Sequence, residues 1–359
     1  MHGDGKPSVP RVEVPRGKPL PGEWLWTTRA GSEQDVVDEF TLGFGPDKAK
    51  VLGPALVRSR GAPTSREGGV DLTFARQGFR IVAEPAGTLD AMARGAARAL
   101  APQLAGDAPW TLSAWVPDAD GSNPLGPVAE ALEARTVALL DEDDAMRARR
   151  VPLAALPRSG ALLAQLALAG PERAFAGLVR SEDALSLAPG GRARMRVGGE
   201  RPSRAARKVE EALAWLGMAP GAGETCVDLG AAPGGWSWAL LDRRAKVIAV
   251  DPAELRPDIA RHRSMVHHKE SAFQFVPEEP VDWLFCDMAW RPLEVAQLLA
   301  KWGRRRWTRL VVANLKLPMK TKAATVHDLV QVLAGGGWQQ IRTRQLYHDR
   351  DEITLTAHL

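Results

Sequence analysis

In the second half of the chain, apolar residues fall into short runs separated by stretches of helical length. "ETCVDLG" (224–230), "KVIAVD" (246–251), "VDWLFCDMA" (281–289) and "RLVVANLK" (309–316) read as buried strands. Between them the pattern changes period. "SRAARKVEEALAWLG" (203–217) predicts a helix that starts after Ser203, carries Val209, Leu213 and Leu216 on one face and ends at Gly217. "PGGWSWALLDRR" (233–244) predicts a turn running into a helix. Apolar runs alternating with helices indicate βαβ units and a parallel sheet covered on both faces. The last two runs, "QQIRTRQLYH" (339–348) and "EITLTAHL" (352–359), are separated only by "DRD". That is too short for a parallel crossover, so they form an antiparallel hairpin. The expected fold class is α/β: a doubly wound, mainly parallel sheet ending in a hairpin.

The first half is patterned differently. Residues 1–21 are rich in Pro, Gly and charge and read as a loose leader. "GEWLWTTRA" (22–30) predicts a strand and "SEQDVVDEF" (32–40) a helix capped by Ser32; "VRSRGA" (57–62) and "VDLTFARQGF" (70–79) predict further strands. A second group starts near Gly87. It has a helix over 89–104, a strand at "WTLSAWVP" (110–117), a helix at "GPVAEALEARTVALL" (126–140), and a strand pair at "ALLAQLALAG" (161–170) and "RAFAGLVR" (173–180). Two small α+β modules, 22–87 and 88–187, are expected. The Gly/Arg/Pro-rich 188–202 reads as a linker to a domain over 203–359.

Composition narrows the class. The chain has 359 residues and no apolar stretch near the ~18 needed for a membrane span, nor does it open on a signal-peptide pattern. Its two cysteines, Cys226 and Cys286, lie inside apolar runs without metal-ligand spacing. A reducing cytoplasm and no metal are expected. The formal net charge is +4, and it is unevenly placed. Residues 1–200 hold 24 Lys+Arg against 25 Asp+Glu, and residues 201–359 hold 23 against 18. Three basic clusters, "RPSRAARK" (201–208), "KWGRRRW" (301–307) and "KLPMKTK" (316–322), make a polyanion such as RNA a candidate partner. The residues singled out for it are Arg201, Arg204, Arg207, Arg304, Arg305, Arg306, Lys320 and Lys322.

Candidate chemistry gathers at strand ends. The first βα turn, "DLGAAPGGW", runs through Asp228, Gly230, Ala231, Ala232, Pro233, Gly234, Gly235 and Trp236. Its glycines allow a ligand close approach to a helix N-terminus, but the G-x-G-x-x-G of a pyrophosphate seat is missing. Asp251, ending the next strand, can accept the two hydroxyls of a ribose. Adenosine without pyrophosphate points to S-adenosylmethionine, with S-adenosylhomocysteine as product. Ligands of such sheets bind beyond the carboxyl ends of the parallel strands. Asp287 and Lys316 leave strands there, Glu352 begins the antiparallel last strand at the same edge, and Lys208 lies one turn into the preceding helix. A ribose 2′-hydroxyl must lose its proton to accept a methyl group. A lysine serves as base where its charged form is made costly, as a second lysine nearby would do. Lys316 is therefore expected as base or polarising group, with Lys208 as its neighbour, Asp287 holding the lysines and facing the donor, and Glu352 orienting them.

This order, Lys208, Asp287, Lys316, Glu352, resembles the K-D-K-E tetrad of FtsJ-like ribose 2′-O-methyltransferases, and the sheet resembles class I methyltransferases. "PSRAARKVEEAL", "DLGAAPGGW", "VDWLFCDM", "NLKLPMK" and "QLYHDRDEIT" look like the RlmM family. The resemblance implies methylation of one cytidine 2′-hydroxyl in large-subunit (23S) ribosomal RNA, free or in an assembly intermediate, in the cytoplasm and without an obligate protein partner. It also implies that 22–87 is ferredoxin-like and 88–187 a THUMP-like RNA-binding module, "TFARQGF" (73–79) being similar to the family's "FARQ" stretch. Three positions depart from the family: Ala232 replaces a usual Cys, Ser271 stands for an acidic residue expected at the adenine amino group, and Ala205 for a hydroxyl residue. Two other readings stay open. One is a methyltransferase of the same fold acting on an RNA base or a small molecule, although "CDMAW" lacks the N/D-P-P-Y/F motif of amino-group methylation. The other is an inactive RNA-binding relative.

Overall fold

The computed structural model describes residues 17–65, 69–120, 123–193 and 205–359, which fall into two compact units divided after Ala193. The first unit is built on one seven-stranded sheet. Its elements are β1 (Leu20–Thr28), α1 (Glu33–Phe44), β2 (Ala49–Gly53), β3 (Leu56–Ala62), β4 (Ala75–Ala83), α2 (Leu89–Leu100), β5 (Trp110–Trp115), α3 (Gly126–Leu140), α4 (Asp144–Arg149), β6 (Leu162–Gly170) and β7 (Arg173–Arg180). The sheet order is β2-β3-β1-β4-β7-β6-β5, antiparallel except for the β5–β6 pair. β4 pairs with both β1 and β7, so the sheet runs unbroken past Gly87. Helix α2 is amphipathic, burying Met92, Ala93, Ala96 and Leu100 against Trp110, Leu132 and Leu166.

Local details depart from the sequence pattern for identifiable reasons. α2 stops at Leu100 and gives way to a 3₁₀ turn, because Pro102 lacks the N–H that a further α-turn would need. Ser32 makes no side-chain cap; the neighbouring Glu33 carboxylate instead accepts the N–H groups of Gly31 and Ala55. β4 begins at Ala75, not at Val70. The N–H groups of Thr73 and Phe74 bond to the half-buried Glu39 carboxylate of α1 in place of a strand partner. Residues 188–193 pack on this first unit, where Arg192 donates to the Val116 carbonyl at 3.1 Å.

The second unit holds α5 (Ala205–Leu216), β8 (Thr225–Leu229), α6 (Gly235–Asp242), β9 (Lys246–Val250), α7 (Pro257–Ala260), β10 (Met265–His268), β11 (Val281–Cys286), α8 (Pro292–Arg305), β12 (Thr308–Lys316), α9 (Lys322–Ala334), β13 (Gln339–Arg344) and β14 (Glu352–His358). Its sheet order is β10-β9-β8-β11-β12-β14-β13. The five strands from β10 to β12 are parallel, and β14 lies antiparallel between β12 and β13. This is the doubly wound sheet with a terminal hairpin that the hydrophobic pattern predicts. The chain goes outward from β8 through β9 to β10, then returns to β11 on the other side of β8. That reversal opens a crevice at the carboxyl ends of β8 and β11. Val209 and Leu213 of α5 and Trp236 and Leu240 of α6 form one core cluster with Phe285 and Val312 of the sheet. The Trp236 ring meets Phe285 edge-on at 6.1 Å.

Candidate active site

The crevice edge is charged because of where each strand stops. β11 ends in apolar Cys286 and releases Asp287; β12 ends on Lys316, whose Cα pairs in register with Glu352 at the start of β14. Lys208 reaches them from the first turn of α5. Its ammonium is ion-paired with Glu352 Oε1, and the Lys316 ammonium lies 3.8 Å from Glu352 Oε2. One buried carboxylate therefore holds both lysines. They differ in access: the Lys208 side chain is 17% exposed and that of Lys316 50%, so Lys316 is the one open to a substrate. Burial raises the Asp287 carboxyl above its ordinary value; the charges of Lys208 and Lys316 and the Asn314 amide pull it back, while Glu352 raises it. All four residues named from the sequence thus share one electrostatic neighbourhood.

Behind them lies a buried polar layer that sequence reasoning missed. Thr354 Oγ1 is 2.8 Å from Asn314 Oδ1 and 3.0 Å from Asp349 Oδ2, and Asp349 Oδ2 accepts the Leu346 N–H at 2.9 Å. Burial pushes Asp349 up to about 8 against those hydrogen bonds, so the carboxyl is neutral at pH 7. Its proton completes the set, since Thr354 has only one hydrogen for two oxygen neighbours. Glu211, one turn beyond Lys208 on α5, accepts the N–H groups of Tyr347 and His348 at 2.8 and 2.9 Å and contacts His348 Nδ1 at 2.7 Å. These bonds fasten the loop that delivers Glu352. The available signals were Glu211 at i+3 from Lys208 and the polar Asn314 inside an apolar strand.

At the other side of the crevice, the β8–α6 turn carries two glycines in the left-handed region. A Cβ on Gly230 (φ +76°) would stand 2.7 Å from Met288, and one on Gly234 (φ +110°) 2.6 Å from Ile259. No larger residue fits this turn without displacing its neighbours. Ala231 and Trp236 are buried, Ala232 is half-buried and Pro233 exposed, and Gly235 starts α6. Asp251 is fixed by the N–H groups of Ala232 (3.1 Å) and Ala253 (2.8 Å), one on each oxygen, leaving each a further lone pair. Asp228 is fully buried: Ser237 Oγ donates to its Oδ2 at 2.7 Å, and Oδ1 has no partner among the described residues. Burial pushes Asp228 up to about 7, and Asp287 and Asp251 add to the rise. Asp251 and Asp287, both half-buried, bring two carboxylates to one crevice, with Asp228 buried behind them, an arrangement that suits a cationic ligand carrying a ribose. Ser271 is half-buried with its Oγ accepting the Phe273 N–H at 3.3 Å.

The remaining sequence candidates are scattered. Arg207 is exposed beside Lys208, and Lys320 and Lys322 follow β12 at the reactive edge. Arg304, Arg305 and Arg306 are exposed at the end of α8, just before β12 starts. That is the opposite edge of the sheet, roughly 26 Å from Lys316 along the eight residue steps of β12. Arg201 and Arg204 lie outside the described residues, as does the side chain of Ala205. Cys286 is buried, and its thiol is pushed up to about 12 by burial, so it offers no nucleophile for attack on a pyrimidine carbon.

A family model for FtsJ-like methyltransferase matches residues 201–327. The "Ribosomal RNA large subunit methyltransferase M" of Halorhodospira halophila is 33% identical over 93% of this chain and 96% of its own length. The protein of that name from Alkalilimnicola ehrlichii is 36% identical over 80% and 79%, and that from Laribacter hongkongensis 42% over 46% and 50%. Among solved structures, TrmN from Thermus thermophilus overlaps 94% of this chain and 100% of its own at 16% identity and a TM-score of 0.37, too distant to inform the fold.

Proposed function

The chain belongs to the ribosomal RNA large subunit methyltransferase M family, and from that premise we propose that it methylates the ribose 2′-hydroxyl of one cytidine in large-subunit ribosomal RNA. S-adenosylmethionine would supply an electrophilic methyl group, held by Asp251, the 230–236 turn and Asp287, with Ser271 near the adenine. The chain's own task is to hold the hydroxyl and take up its proton. Lys316, the accessible lysine, first releases one ammonium proton to solvent, and its neutral amine then receives the hydroxyl proton on Nζ. Glu352 fixes both lysines, and Lys208 supplies positive charge for the developing alkoxide. Asp287 sits between the donor and the lysines.

The observation that carries this reading is the Glu352 carboxylate shared by Lys208 and Lys316 at the sheet edge where Asp287 follows β11. We assign RNA capture to the first unit, with a THUMP-like module over 88–187, and Arg201, Arg204, Arg207, Arg304, Arg305, Arg306, Lys320 and Lys322 to phosphate contacts. Ribosomal RNA as substrate puts the reaction in the cytoplasm. The test is incubation with labelled donor and unmodified large-subunit ribosomal RNA. Label should appear in dinucleotides that resist alkaline hydrolysis. Label on a base would replace this reading with base methylation, and its absence from RNA would leave an inactive relative.

A further inference from the structure

Three residues after Asp287 stands Trp290, 52% exposed, and three residues after Lys316 stands Met319, 82% exposed. β11 and β12 are paired parallel strands, so their two exit loops leave the reactive edge side by side. Exposure of this kind is out of character for the chain's tryptophans. Trp24, Trp26, Trp110, Trp115, Trp236 and Trp302 are each 3% exposed or less. Nor is Trp290 a loose surface ring. Its Nε1 donates to Glu294 Oε2 at 2.6 Å, and its backbone N–H closes a turn on the Met288 carbonyl at 2.9 Å. Its ring contacts Phe273 at 5.8 Å with planes tilted by 55°. Arg291 holds the other Glu294 oxygen at 3.0 Å, which steadies the acceptor. An indole fixed at its polar edge, yet half open to solvent, has lost much of its rotamer freedom before any ligand arrives.

We propose that Trp290 is a stacking platform for an unpaired base of the RNA substrate next to the reacting nucleotide, with Met319 a second apolar contact on the adjoining loop. The proposal rests on the RNA-methylating function above and adds a residue that no tetrad chemistry requires. RNA is the occupant that fits the charge of this edge. Lys320 and Lys322 follow Met319 directly, where phosphates beside a stacked base would meet them. Splayed single-stranded bases are recognised on aromatic faces, whereas bases held in a duplex are already stacked on their neighbours.

The experiment uses the full chain and an unmodified large-subunit ribosomal RNA transcript, measuring transcript affinity, single-turnover methylation and donor affinity by calorimetry. Trp290→Ala should weaken transcript binding about five- to hundredfold and leave donor affinity unchanged. Trp290→Phe should retain most of the binding. Trp290→Leu, which keeps apolar bulk without a π-face, should behave like Trp290→Ala and separates stacking from any loss of fold. The dependence of affinity on salt should keep its slope in all three, because no phosphate contact is removed. Wild-type transcript affinity in Trp290→Ala and Trp290→Leu overturns the proposal, and so does a loss seen in donor affinity instead. Failure of the wild-type protein to methylate ribose would count against the functional reading; the transcript-binding comparison would still decide the platform.

Discussion

The two units put similar charged residues to opposite uses. In the first, charges close on each other across the surface: Arg58 bonds both Glu23 and Glu84, Arg173 reaches Glu84, and Arg94 and Arg135 share Asp90. In the second, Lys208, Lys316, Glu352 and Asp287 crowd one edge of the sheet above the neutral carboxyl of Asp349. Strand direction accounts for the difference. An antiparallel sheet sends successive strands out at alternate edges, so the residues that follow them are dispersed. Five parallel strands all exit at one edge and pool whatever polar residues come next. Exposed pairs like those of the first unit contribute little each, whereas charges pooled at one edge can act together on a single bound ligand.

The sharpest way to break this contrast is Lys316→Ala. It should lower methyl transfer by about 10²- to 10⁴-fold with donor affinity within about twofold by calorimetry. Near-normal single-turnover transfer would remove Lys316 from its role. The next comparison sets two carboxyls against each other, half-buried Glu39 of the first unit and buried Asp349 of the second. Glu39→Ala strands the Thr73 and Phe74 N–H groups and should cost about 1–3 kcal/mol, read by urea unfolding, without changing the single-turnover rate on saturating RNA. Asp349→Ala should cost a similar amount and also slow transfer, because Asn314 and Thr354 lose their neighbour.

The pH dependence sharpens the same point. The folded value of Asp349, about 8, lies far above the 3.8 of an ordinary aspartate. The stabilisation from its bound proton is therefore fully present below about pH 4 and is lost as pH rises through about 8. Asp349→Asn keeps the neutral form, so its stability relative to wild type should increase between pH 6 and 8.5 in parallel urea titrations. A pH-independent difference would mean that the carboxyl is ionised in the fold. The smallest effect belongs to Ser32→Ala, at most about 0.5 kcal/mol, because no cap bond is lost.

What could be read from the sequence follows from range. Apolar runs mark strand ends, so Asp287, Lys316 and Glu352 could be assigned to one edge, and "DRD" was short enough to force the hairpin. Asp349 and Glu211 could not be read that way. Asp349 looks like turn chemistry and Glu211 like a solvated helix position, yet Glu211 bonds Tyr347, 136 residues away. Burial at such a distance is a tertiary fact with no local signature. The arginine run 304–306 was legible only in part. Its charge was evident, but a helix that follows β11 must return to the far edge before β12 begins, and charge counting ignores that direction.

The Lys208–Glu352 pair joins the opening helix of the catalytic unit to the strand that follows all its others, across 144 positions of chain. During synthesis, Lys208 therefore emerges long before the carboxylate that steadies it. A ribosome that has yet to make the final strand holds a chain with a donor turn and both lysines but no carboxylate to hold them together. Methylating competence arrives only with the hairpin, and local fraying of that hairpin would switch the enzyme off while the rest of the sheet stayed folded.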